Sequence, residues 1–110
     1  MKYGAWDIGG EVVKDDYRYT VKDNTELNNL VVSSTRLNAK KCTTGHRHAG
    51  QEEVYIFIQG SGQMELDHEM FDVHEGDTVL IKDNVFHKVH NNSDVALEFI
   101  CIFDGKRNHK

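Results

Sequence analysis

The chain has no proline among its 110 residues. Its turns therefore rest on Gly, Asn and Asp, which accept positive φ. Cysteine is scarce too: Cys42 and Cys101 are too few for the disulfide framework of a small secreted domain. Both fall in strand-like stretches and read as reduced, largely buried thiols. No apolar run approaches the roughly 20 residues that span a bilayer. The longest, Val54 to Ile58 and Phe99 to Phe103, are strand-sized. The opening Met1 to Asp7 lacks the apolar core of a signal peptide, so a cytoplasmic location without a membrane partner is expected. Basic charge is short as well, with 13 Lys and Arg against 18 Asp and Glu, a net of −5. That argues against nucleic acid, which needs a clustered basic face. The basic cluster Lys106, Arg107, Lys110 reads as a solvated tail.

A clear 3.6-residue apolar period is also missing. Short β-rich runs alternate with turn residues instead, the pattern of an all-β sandwich or barrel. Strands are expected over Tyr17 to Lys22, Leu30 to Leu37, Glu53 to Gln59, Gln63 to Leu66, Met70 to Val73, Thr78 to Ile81, Val85 to His90 and Val95 to Phe103. Lys41 to Thr44 leads into His46 and His48. Alternation puts Val85, His87, Val89 and Asn91 on one side of their strand, the more apolar one, so His87 points inward. It also gives Val95, Leu97, Phe99, Cys101 and Phe103 one continuous apolar face. The strand from Glu53 is apolar on both faces and needs cover from a second sheet or a second subunit. A homodimer is expected on that ground.

His46 and His48 are two apart, which on a strand puts both imidazoles on one face. Glu53 follows a short loop and opens the next strand, and His87 returns from far along the chain. A His-x-His pair alone is more often a polar strand face, and a lone His87 a satisfied half-buried histidine. Together, three imidazoles and one carboxylate form a borderline donor set suited to Fe, Mn, Ni, Co or Zn. On a six-coordinate ion they would leave two positions for water, substrate or dioxygen. Glu52 is the alternative to Glu53, which shares the inward parity of Tyr55 and Phe57. His68, His74, His90 and His109 are not expected as ligands, and Asn91 is expected to close a turn.

In order and spacing these residues resemble the cupin superfamily. The first cupin motif reads Gly, five residues, His-x-His, three or four residues, Glu, six residues, Gly. Here His46-Arg47-His48, four residues, Glu53, six residues and Gly60 match it, with Lys40 in place of the leading Gly. The second reads Gly, five residues, Pro-x-Gly, two residues, His, three residues, Asn. Here Gly76, Lys82-Asp83-Asn84, His87 and Asn91 hold that spacing, with Lys82 and Asn84 replacing Pro and Gly. Asn84 can still supply a positive-φ turn.

The resemblance implies a single double-stranded β-helix, the cupin jelly-roll barrel, as one domain over 1–110. The core barrel would run from about 28 to 104, with an N-terminal strand segment 1–27 and a tail 105–110. It implies a divalent transition metal (Zn, Mn, Fe or Ni) on His46, His48, Glu53 and His87. The stretches Thr43 to His48, Glu53 to Tyr55 and Gly60 to Leu66 look most like cupin-type phosphoglucose isomerases and related sugar-phosphate cupins. Those proteins are clearly longer. The activity implied is isomerisation of a small carbohydrate or sugar phosphate, with Glu53 (or Glu52) and Tyr55 moving the proton. Arg36 and Arg47 are candidates to meet a phosphate, though exposure is the commoner state of both. Two other readings stand beside it: an Fe(II)-dependent dioxygenase, told apart by iron-dependent oxygen uptake, and a non-catalytic small-molecule binder, told apart by affinity that survives metal removal.

Overall fold

The computed structural model describes residues 1–105, so the basic tail Lys106 to Lys110, with His109, lies outside the described residues. Nine strands follow one another: β1 Glu11–Asp15, β2 Tyr19–Asn24, β3 Leu30–Leu37, β4 Glu53–Gln59, β5 Ser61–Leu66, β6 Glu69–His74, β7 Thr78–Ile81, β8 His87–His90 and β9 Leu97–Asp104. They form a six-stranded sheet in the order β1-β2-β3-β9-β4-β7 and a three-stranded sheet in the order β6-β5-β8. Every pairing is antiparallel. Among the described residues no helix is long and apolar enough to cross a membrane.

The core lies between the sheets. Leu37, Phe57, Leu97 and Phe99 enter it from the larger sheet, and Met64, Val73 and Val89 from the smaller. Each is a period-2 position of its strand, so alternation sorts the chain into an inner and an outer face. The outer face of the larger sheet is also apolar: the ladder aligns Val32, Ile102, Val54 and Leu80 in one row across four strands.

The first crossing from one sheet to the other is made by a single residue. β4 ends at Gln59, β5 begins at Ser61, and Gly60 between them has φ +88°. A Cβ there would lie 2.7 Å from the Ala96 carbonyl oxygen. Gly60→Ala therefore combines a left-handed backbone with a backbone clash, and a loss of about 3 kcal/mol is expected in urea unfolding. The two other motif positions hold non-glycine residues in the same region, Lys40 at φ 64° and Asn84 at φ 62°. The turns thus keep their shape without Gly.

Several strand bounds differ from expectation. β1 was not expected at all; it is short, and its ladder is broken by a register shift between Val12 and Lys14, which blurs the alternation. The next strand starts at Tyr19 rather than Tyr17, because Asp16 accepts the Arg18 and Tyr19 amides and closes a turn. The last strand starts at Leu97, and Val95 is 62% exposed, outside the apolar face. Asn91 explains this, since it draws the Val95 carbonyl into a turn.

Candidate metal centre

Three elements meet at one end of the core. Glu53 is the first residue of β4, and its carboxylate points inward while Glu52 is exposed. His87 opens β8 on the opposing sheet. His46 and His48 lie on the segment before β4, which is not a regular strand: His46 is an isolated bridge partner of His87. Each backbone N–H of that pair donates to the other's carbonyl, at 3.0 and 2.9 Å. Directly opposed residues project to the same side, so this bridge sets His46 beside His87. The His48 carbonyl accepts the Asn84 amide at 3.0 Å, which ties the loop to the left-handed turn ahead of His87.

The geometry converges on Glu53. Its Oε1 lies 3.2 Å from His48 Nε2 and 3.3 Å from His87 Nε2. All three side chains are buried, and ligand-type atoms of the three lie within 4.8 Å of one another. The His87 Nδ1 is 3.1 Å from the Val85 carbonyl, an atom that only accepts, so the proton sits on Nδ1. With the proton on Nδ1 alone, Nε2 would face the carboxylate oxygen with a lone pair. Two acceptors at that distance need a cation or a proton between them. A fixed tautomer with Nε2 turned to the centre is the arrangement metal-binding histidines use. The donor chemistry therefore fits a divalent transition metal. His46 stands one step back, its ring centroid 5.6 Å from that of His48 and 6.4 Å from that of His87. The sequence placed four residues here; the structure draws three into the tight group and sets His46 at its edge.

Over this group lies a cavity of about 50 Å³. Tyr55 lines it, stacked on Phe99 with centroids 5.2 Å apart and edge-on to His87 at 5.8 Å. Tyr19, Thr35, Thr43 and Thr44 add hydroxyls. The Tyr19 hydroxyl accepts the Thr44 amide at 3.2 Å. Burial opposes its ionisation, but hydrogen bonds with Thr44 and the nearby Lys14 hold it below the usual phenol range. Cys101 also faces the cavity and is not in a disulfide. Lys14 and Tyr19 were missed in the sequence, because the strand bearing Lys14 gave no readable period. The arginines considered for phosphate lie elsewhere. Arg36 pairs across strands with Glu98 at 3.4 Å, and Arg47 donates to the Asn84 carbonyl at 2.9 Å.

A family model described as the cupin domain matches residues 36–103. The chain belongs to the cupin family. An uncharacterized protein of Methanocaldococcus jannaschii is 41% identical over 56 residues, which are 51% of this cupin and 45% of that protein. The match thus spans less than half of that relative's length. Among solved structures, KdgF from Halomonas sp. superposes with a TM-score of 0.77 at 17% identity, over 89% of this chain and 90% of that one. The cupin domain of Schizosaccharomyces pombe Cnp3 does so with a TM-score of 0.80 at 7% identity, over 96% and 74%. Likenesses at such identity carry the cupin jelly-roll fold and not an activity.

Proposed function

We propose that this cupin is a metal-dependent enzyme acting on a small hydroxy-carbonyl compound, a carbohydrate or sugar phosphate, by isomerase-type chemistry. The observation that carries the reading is the approach of His48 Nε2 and His87 Nε2 to one oxygen of Glu53, at 3.2 and 3.3 Å, beneath a cavity lined with hydroxyls. His46, His48, Glu53 and His87 would hold the ion, with His46 closing on it by a turn of its side chain. A bound divalent ion supplies Lewis-acid polarisation of neighbouring substrate oxygens. The chain's own residues do the rest. Tyr55, packed against Phe99 and His87, would pass a proton between adjacent substrate carbons, and Tyr19 offers a second, more acidic phenol. The apolar walls formed by Val21, Phe99 and Cys101 keep bulk water from the reacting carbons.

Zn- or Mn-loaded protein is expected to interconvert an aldose and a ketose from a panel of sugars and sugar phosphates. Tyr55→Phe is expected to lower kcat by about a hundredfold or more with little change in KM. No turnover by the metal-loaded protein across the panel removes the isomerase reading. Oxygen uptake with Fe(II) and not with Zn replaces it by the dioxygenase.

A further inference from the structure

One wall of the cavity comes from the first two strands, and it carries a lysine. Val12 pairs with Lys22 on the outward side of the sheet. An unbroken ladder would keep Lys14 on that side too. The register shifts at Val13, and Lys14 instead faces Val21, a buried residue of the cavity wall. The extra residue turns both Val13 and Lys14 into the lining. Bulges at barrel rims re-aim side chains in this way.

Apart from histidine, Lys14 is the one basic residue among the described residues that line this cavity. Its side chain is 20% exposed, and Nζ lies 4.9 Å from the Tyr19 ring centroid. Asp16 is 4.0 Å away, but that carboxylate is engaged elsewhere. It accepts the Arg18 amide at 2.8 Å, the Tyr19 amide at 3.2 Å and the Arg18 guanidinium at 3.2 Å. Those bonds, the Arg18 amide first, hold Asp16 below its usual carboxylate range. Arg18 also donates to Thr44 Oγ1 at 3.1 Å, which fixes it beside the lining. Arg18 and Lys14 thus share Asp16, Arg18 at the shorter distance, and the Lys14 ammonium stays on the cavity wall within reach of an anion that enters. A half-buried ammonium is costly to keep unless it meets an anion.

We propose that Lys14 is the specificity-determining residue of this site, and that the substrate carries a carboxylate or phosphate which Lys14 binds while its hydroxy-carbonyl end faces His48, Glu53 and His87. This rests on the metal-dependent reading above and names the substrate class for it.

The test uses the Co(II)-loaded full chain, titrated calorimetrically with two probe pairs. Dihydroxyacetone phosphate is compared with dihydroxyacetone, and glycerate with glycerol. Lys14→Met is expected to weaken at least one anionic probe by about tenfold or more, to leave the neutral probes unchanged, and to flatten the salt dependence. Lys14→Arg is expected to keep that affinity within about threefold. Loss confined to one pair tells phosphate from carboxylate. Anion affinity unchanged in Lys14→Met, or absent from the parent protein, overturns the proposal. The visible absorption of Co(II) in the same samples reports the metal separately. If no Co(II) binds, the metal-dependent reading falls, and the same titrations on metal-free protein still decide the role of Lys14.

Discussion

His87→Ala is expected to weaken binding of Zn(II) or Co(II) by more than about 100-fold, since even residues that only orient a metal ligand cost 10–100-fold when removed. His87 is 3% exposed, its Nδ1 is committed to the Val85 carbonyl, and its Nε2 points at Glu53. Nothing else among the described residues takes that position. Glu53→Gln is expected to have an effect of the same order, because an amide gives up the negative charge that offsets the ion. Glu52→Gln should leave affinity within about threefold, as a surface change away from the centre. Competition titrations with a chromophoric chelator measure all three. A second readout follows from linkage: at 100 times Kd, a ligand that binds only the folded state adds about 2.7 kcal/mol. Zn(II) should therefore raise the melting temperature of the parent protein and leave that of His87→Ala unmoved. Equal affinity in the parent and His87→Ala would refute the centre.

Asn91→Ala is expected to be the most damaging single change to stability, at about 4 kcal/mol, or a fall in Tm of roughly 15 °C or more. Asn91 is 1% exposed. Its Nδ2 donates to the carbonyls of Leu37, Asn38 and Val95, at 3.1, 3.2 and 2.8 Å. Its Oδ1 accepts the Ser93 amide and hydroxyl at 3.0 and 2.8 Å. One side chain thereby joins the end of β3, the exit of β8 and the approach to β9. Truncation leaves several of these groups buried without a partner, and each such group costs about 1–3 kcal/mol. Against a total stability of roughly 5–15 kcal/mol, that is a large share. Thermal unfolding followed by circular dichroism measures it. A loss below about 1 kcal/mol would mean that water replaces these bonds at no cost.

These two residues also mark what the sequence made legible. Asn91 and His87 sit at fixed distances in a motif whose order and spacing carry the fold. β3, β4 and β7 came out to the residue, because Leu30–Leu37, Glu53–Gln59 and Thr78–Ile81 are bounded by clear turn residues. Glu53 could be preferred over Glu52 by strand parity, and the burial of one and exposure of the other follow that parity. The missing part has a physical cause. Parity arguments assume an unbroken ladder, and β1 contains a bulge. Lys14 was therefore invisible as a cavity residue, although its neighbour Tyr19 lies in a strand that was expected. The histidine pair shows the same limit. Spacing put His46 and His48 on one strand face, but their segment makes only an isolated bridge to His87. Side-chain torsions, which spacing does not fix, leave the His46 ring at the edge of the group.

The centre also bears on how the molecule comes apart. Glu53 belongs to the larger sheet and His87 to the smaller, and Gly60 is the sole residue between β4 and β5 where the chain crosses over. A cation shared by those two side chains would act as a rivet through the sandwich, in addition to the covalent crossings between the layers. Prising the two layers apart would then require the cation to leave or to shed one of its partners. The lifetime of the folded state would be set in part by how tightly that rivet is held, and a chelator would shorten it without touching a single contact of the core.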